Sequence, residues 1–285
     1  MTYEELLRDG QQKARKHRLE EEAVKFLLIE LSAMEPHLFY LSLKNSVPKT
    51  IQEQFVKVLD RYLFHHEPVQ YLLGYTYFYN RRFFVNEDVL IPRRETEQLV
   101  DILLKEIKLF WPNEKPLSVL DLGTGSGCIG ITLSLENPSL EVTLVDLSHK
   151  ALVVAKRNSQ KFNASVHLVQ SDWFEKIHET YDVIVANPPY IRDEEPLDNI
   201  VDKEPKSALY GGIYGLDSYE AILKSVHQHI QKKSIIFFEH GAEQKQALNE
   251  LIYQFLPNAQ ITHLKDYQNK DRFTMIKIGV DLHDV

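Results

Sequence analysis

The chain has 285 residues, of which 44% are hydrophobic and 26% charged, enough apolar material for two soluble domains and too much for intrinsic disorder. Its formal net charge of −8 argues against a protein that lives chiefly on nucleic-acid phosphates, because that affinity comes from clustered Lys and Arg. The only cysteine, Cys128, excludes an internal disulfide and points to a reducing compartment.

In chain order, the start MTYEELLRDGQQKARKHR is charged and lacks the apolar core of a secretory signal. No run approaches the ~18 apolar residues of a membrane span, so a cytoplasmic protein without membrane attachment is expected. Residues 1 to 67 are expected to form a small helical domain. Leu6 and Leu7, then Val24, Phe26, Leu27, Leu28 and Leu31, then Phe55, Val58, Leu59, Tyr62 and Leu63 recur at helical spacing, with breaks at Pro36 and Pro48. His65 and His66 are adjacent, which is wrong for two ligands on one helix face, so a capping or surface role is expected. Residues 68–92 turn aromatic and β-branched around Asn80 and read as a linking β-hairpin. From 93 to 285 helices alternate with seven short apolar runs: LSVLDLG, VTLVDL, VHLVQSD, YDVIVANPPY, SIIFFEHG, AQITHLKD and RFTMIKI. That pattern predicts an α/β domain with a mainly parallel sheet covered on both faces, its last two strands forming an antiparallel hairpin.

The first run leads from Asp121 into Gly123, Gly125 and Gly127 and then into a helix. In a doubly wound sheet, ligands bind at the carboxyl ends of the strands. Glycines there let a ligand approach the backbone, and the helix start offers free N–H groups. The second strand ends at Asp146, an acid placed to hold two ribose hydroxyls. The third ends at Asp172 and Trp173, a carboxylate that can accept from an adenine amino group beside a ring that can lie on its face. Together these residues predict a nucleoside site at Gly123, Thr124, Gly125, Ser126, Gly127, Asp146, Asp172 and Trp173. Gly125, Gly127 and Gly130 also satisfy the G-x-G-x-x-G dinucleotide pattern, so an NAD site stays open at this point.

The fourth strand ends in Asn187, Pro188, Pro189 and Tyr190. Proline cannot donate to a strand ladder and fixes φ, so the strand must stop. An amide or exocyclic amine is a poor nucleophile because its lone pair is delocalised. The Asn187 side-chain carbonyl and the Pro188 backbone carbonyl can together accept the two hydrogens of such an NH2 group, orienting it and favouring charge developing on nitrogen. Tyr190 can stack on a planar substrate.

These residues carry a family resemblance. The NPPY tetrapeptide with a glycine-rich first motif resembles the amino-methyltransferases that act on planar NH2 groups, including adenine-N6 DNA methyltransferases and the glutamine-N5 methyltransferases of peptide chain release factors. Residues 67–100, 121–131, 187–191, 204–212, 215–219, 239–244 and 270–277 are similar to the latter, the PrmC/HemK family. The resemblance implies a class I S-adenosylmethionine-dependent methyltransferase, with a Rossmann-like seven-stranded mixed sheet. It implies transfer of a methyl group from S-adenosylmethionine, without a metal, to the glutamine of a release factor's Gly-Gly-Gln loop. The Gly123 to Gly127 turn, Asp146, Trp173 and Asn187 are then expected to bind the donor, and Asn187, Pro188, Pro189 and Tyr190 the glutamine. Arg94 stands where the family usually has Pro, and Tyr214 where it usually has Asp. Release factors are the expected partners of a monomeric enzyme with no direct nucleic-acid contact. The helices of residues 1–65 carry no chemistry and are expected to dock the substrate protein. The competing readings are a nucleic-acid adenine methyltransferase, an NAD-dependent enzyme, and a binding module that has lost catalysis.

Overall fold

A computed structural model describes residues 1–112 and 116–279. The chain divides into two compact units, Met1–Tyr75 with Leu197–Lys203, and Thr76–Pro196 with Glu204–Val285.

The first unit holds α1 (Tyr3–Lys16), α2 (Glu21–Ser32), α3 (Pro36–Leu41), α4 (Lys49–His65) and α5 (Val69–Leu73). Helix α1 begins in a capping box, with Thr2 and Glu5 each accepting from the other's backbone N–H. The predicted apolar positions meet as one cluster built on Leu6, Val24, Leu27, Leu28, Phe55, Leu59, Tyr62 and Leu63, against which Ile200 of the second segment also packs. Residues 69–73, expected as hairpin, are helical instead. Pro68 starts this short helix, Gly74 at φ +78° ends it, and Val69 is drawn into the cluster. The hairpin proper is confined to β1 (Tyr75–Phe78) and β2 (Arg81–Phe84), turned at Tyr79 and Asn80, both at positive φ.

The second unit continues through α6 (Arg94–Phe110), β3 (Leu117–Leu122), α7 (Cys128–Glu136), β4 (Leu140–Asp146), α8 (His149–Phe162), β5 (Val166–Gln170) and β6 (Tyr181–Ala186). Then come α9 (Asp217–Val226), β7 (Ile230–Glu239), α10 (Lys245–Phe255), β8 (Gln260–Lys265) and β9 (Asp271–Ile278). Helix α9 ends at Val226, and the chain enters β7 at Ile230. The sheet has seven strands in the order β5-β4-β3-β6-β7-β9-β8. All pairings are parallel except those made by β9. Alternate residues serve opposite faces, as strand geometry requires. Val119, Val183, Val185 and Phe237 join one apolar cluster, and Leu120, Ile184, Ala186 and Phe238 the other.

This topology positions the site. The strand order reverses at β3, where a doubly wound sheet opens its ligand crevice. Leu122 is in register with both Val145 and Ala186, and Ala186 with Phe238. The next residue of each strand therefore lies in one row along the carboxyl edge: Asp146, Gly123, Asn187 and Glu239.

Candidate active site

From β3 the chain turns through Gly123, Gly125 and Gly127, all at positive φ, into α7. Buried Asp121 braces this turn, its Oδ2 accepting from Thr124 Oγ1 at 2.6 Å and from the Gly130 N–H at 3.0 Å. Gly130 is required by space, since a Cβ there would sit 2.2 Å from Leu144 Cδ2 and 3.0 Å from the same Asp121 oxygen. It packs helix against strand. Burial pushes the Asp121 carboxyl up to about 6, against the two hydrogen bonds that favour its charged form.

One cavity at this edge is walled by Gly123, Thr124, Gly125, Ser126, Asp146, Asp172, Trp173, Asn187 and Pro189. The structure thus gathers predicted residues from four strand ends. A Cβ built at Gly125 would meet nothing within 4 Å, so the turn presents open backbone, and at Gly123 it would face the Trp173 ring at 3.7 Å. Asp146 also has a structural part. Its Oδ2 accepts from the Gly125 N–H and its Oδ1 from the Ser148 N–H, both at 2.8 Å, tying the glycine turn to the start of α8. Each oxygen keeps a lone pair for a ligand hydroxyl. Burial raises its pKa, opposed by these two N–H groups.

Gly127, Pro188 and Tyr190 are not part of the cavity wall. Gly127 is the N-cap of α7. Tyr190, expected to stack on substrate, packs against the second apolar cluster together with Trp173, and burial pushes its hydroxyl up to about 12. Its backbone carbonyl is held by buried Gln244, whose Nε2 donates to Tyr190 O and Gly215 O, each at 2.9 Å. On the other side Gly211 closes against the loop, where a Cβ would come within 2.4 Å of Pro189 O. The tetrapeptide is therefore clamped from two sides.

Asn187 decides what this edge can do. Its Nδ2 donates to Thr96 Oγ1 at 3.3 Å, whereas its Oδ1 is buried and has no hydrogen-bond partner. A buried polar atom without a partner costs about 1–3 kcal/mol, and on a residue that lines the cavity it is a waiting acceptor. Sequence reasoning missed four contributors. Thr96 belongs to a helix over ninety residues away and gave no signal. Glu239 ends a strand at the same edge as Asp146, so the rule that found Asp146 would have found it too. Glu204 is buried and accepts from the Ile91 N–H at 2.9 Å and from the Arg93 guanidinium, stitching two segments whose Arg93, Pro205 and Ser207 wall the same cavity. Asp121 was seen only as a strand end.

Comparison with known proteins gives the family. The family described as "Methyltransferase small domain" matches residues 96–208. The release factor glutamine methyltransferase of Streptococcus pneumoniae is 36% identical over 281 residues, covering 98% of this chain and 96% of that protein. The one from Bacillus subtilis is 39% identical over 261 residues, with 89% and 90% covered. This chain belongs to the release factor glutamine methyltransferase family. Among solved structures, a methyltransferase from Pyrococcus furiosus is similar in fold, with a TM-score of 0.53 and 17% identity over 82% of this chain and 100% of that one. The match to the Streptococcus pneumoniae protein, at 98% of this chain, extends over both units. Among the described residues no helix is long and apolar enough to cross a membrane.

Proposed function

We propose that this enzyme transfers a methyl group from S-adenosylmethionine to the side-chain amide nitrogen of the glutamine in the Gly-Gly-Gln loop of peptide chain release factors. The observation that carries the reading is the unpartnered Oδ1 of Asn187, a residue that lines the same cavity as the open glycine turn.

The residues present fit this donor. Gly123 and Gly125 expose backbone, Trp173 offers a ring face beside them, Asp172 and Asp146 stand in the same wall, and Asp146 has lone pairs left for ribose hydroxyls. S-adenosylmethionine, when bound, supplies an electrophilic methyl carbon on a sulfonium. The protein's task is to make an amide nitrogen attack it. Asn187 Oδ1 accepts one amide hydrogen and the Pro188 carbonyl the other, holding the nitrogen in place and drawing density onto it. The nitrogen lone pair forms the new N–C bond, the C–S electrons remain on sulfur, and the excess amide proton leaves to solvent. Proline at 188 has no N–H to compete for the substrate and keeps its carbonyl fixed. Clamping by Gln244 and Gly211 supplies the rigidity that such preorganisation requires.

Domain roles follow from the same reading. The unit of Thr76–Pro196 with Glu204–Val285 carries the methyl transfer, and the helical unit of Met1–Tyr75 with Leu197–Lys203 docks the substrate protein. Incubating the enzyme with a release factor and the donor, then mapping the product by mass spectrometry, tests the proposal. A gain of one methyl on the Gly-Gly-Gln glutamine is expected. Methylation elsewhere on the protein, or of DNA adenine instead, overturns it.

A further inference from the structure

Behind Asn187 lies a short polar chain. Thr96, from the first turn of α6, and Glu239, the last residue of β7, are each 2% exposed. Thr96 Oγ1 stands 2.8 Å from Glu239 Oε2, and the Asn187 amide nitrogen is on the other side of the same hydroxyl. Three residues distant in sequence thus form one line ending at Asn187, a residue of the cavity wall.

We propose that Thr96 and Glu239 are positioning residues that decide which end of the Asn187 amide faces the substrate. The inference rests on Asn187 acting as the acceptor described above. A carboxylate is acceptor only, so the Thr96 hydroxyl must donate its single proton to Glu239. What remains on Thr96 Oγ1 is lone pairs. The Asn187 amide can then present only its NH2 side to Thr96, which turns Oδ1 toward the cavity. An asparagine amide is nearly symmetric in shape, so sterics do not choose between its two orientations; the hydrogen-bond polarity does. If Glu239 is protonated the polarity can reverse: the carboxyl donates to Thr96, Thr96 donates to Asn187 Oδ1, and the NH2 faces the substrate. Two NH2 groups opposed cannot grip each other. The ordered state therefore requires ionised Glu239.

Burial works against that ionisation and pushes the Glu239 carboxyl up to about 7, with the Thr96 hydrogen bond opposing. The charged and titratable groups acting on this region are Arg93 and Glu95 before and in α6, Arg272 in β9, Tyr190 of the clamped loop, Cys128 in α7 and Tyr219 in α9. Arg272 and Arg93 favour the carboxylate and Glu95 disfavours it. Turnover should accordingly fall on the acid side with a midpoint near 7.

Four variants of the full-length enzyme, assayed on an intact release factor with saturating donor, test this. Thr96→Val keeps the shape and removes the hydroxyl, and kcat should drop about tenfold or more, as misoriented catalytic groups do, with the KM for S-adenosylmethionine little changed. Thr96→Ser should restore kcat. Glu239→Gln should lower kcat and abolish the acid limb of its pH profile, since no group then titrates in the chain. Thr96→Val with more than half of wild-type kcat overturns the proposal, and so does a Glu239→Gln enzyme that keeps the same acid limb. Should Glu239→Gln not fold, the Thr96 pair decides alone. Asn187→Ala separates the two levels: if it is inactive while Thr96→Val is active, only the positioning chain is wrong, and if it is active the acceptor itself is wrong.

Discussion

In the helical unit the buried side chains among the described residues are aliphatic or aromatic, as in Leu6, Val24, Phe55 and the ring of Tyr62. At the carboxyl edge of the sheet the chain buries Asp121, Glu239, Thr96 and Gln244. The first interior follows the hydrophobic effect alone, and any residue of similar shape would serve. The second holds charge where charge is costly, and does so beside the glycine turn and Asn187. Buried polarity in this chain gathers beside the cavity at the carboxyl edge of the sheet, and the helical unit has none among the described residues.

The largest effect expected from breaking the polar edge is at Asn187. Asn187→Ala is expected to leave the fold intact, because Oδ1 has no partner within the protein to lose and Thr96, which loses the Nδ2 hydrogen bond, keeps its bond to Glu239. It removes one of two preorganised acceptors, worth about 3–4 kcal/mol in the transition state, or ~10²–10³ in rate. Single-turnover assays on an intact release factor measure this, and retention of a third of wild-type turnover would sink the acceptor pair.

The cost of burying charge is also measurable. Folded-state values of about 6 for Asp121 and about 7 for Glu239 lie above those of unfolded carboxylates, so the folded protein holds these protons longer. The stability they contribute is complete below about pH 4 and is lost as pH rises through about 6 to 7. Glu239→Gln should thus be more stable than wild type at pH 8, by up to about 3 kcal/mol, with the gap closing by pH 5. Denaturant titrations at the two pH values check the sign. A variant less stable than wild type at pH 8 contradicts the picture of strained, functional burial.

Asp146 gives a smaller effect that sharpens the contrast within the edge itself. Asp146→Ala removes acceptors from the ligand and from the Gly125 and Ser148 N–H groups. At about 1.5–3 kcal/mol for a hydrogen bond to a charged group, donor affinity should weaken ten- to about a hundredfold, with affinity for the release factor hardly changed. Calorimetry that finds the donor affinity unaltered removes Asp146 from the site.

The two regions were also unequally legible in the sequence. Periodicity was enough for α1, α2 and α4, because their interior obeys one rule. The strands and their order of chemistry were legible because each ends in a residue unlike a strand residue: Gly123, Asp146, Asp172, Asn187. What was not legible is pairwise. That Thr96 would meet Asn187, or Glu204 would meet Arg93, depends on where α6 and the segment after Pro196 are laid against the sheet. Local pattern carries no record of that. The helix at 69–73 was missed because aromatic composition was weighed above its flanking Pro68 and Gly74.

The smallest predicted effect concerns the apolar unit, for which a docking role is proposed. Gripping one glutamine at Asn187 uses few contacts, while specific recognition of a protein takes about 1,200–2,000 Å² of interface. The helical unit exposes Leu41 at 80%, Phe64 at 61% and Tyr40 at 50%. We expect these side chains to meet the release factor. Deleting residues 1–65 is a poor test, because Ile200 packs into the helical core and would be uncovered. Substituting Tyr40→Ser with Leu41→Glu keeps every residue of that core, at the loss of the Tyr40 ring contact with buried Phe39. Truncating one apolar anchor typically costs about 1 kcal/mol or more, so KM for an intact release factor should rise by about five- to tenfold. For a short glutamine peptide it should stay the same, as should kcat for both. Equal KM values for the double variant and the wild type on intact release factor would place the docking surface elsewhere. The helices would then serve only to cover apolar area.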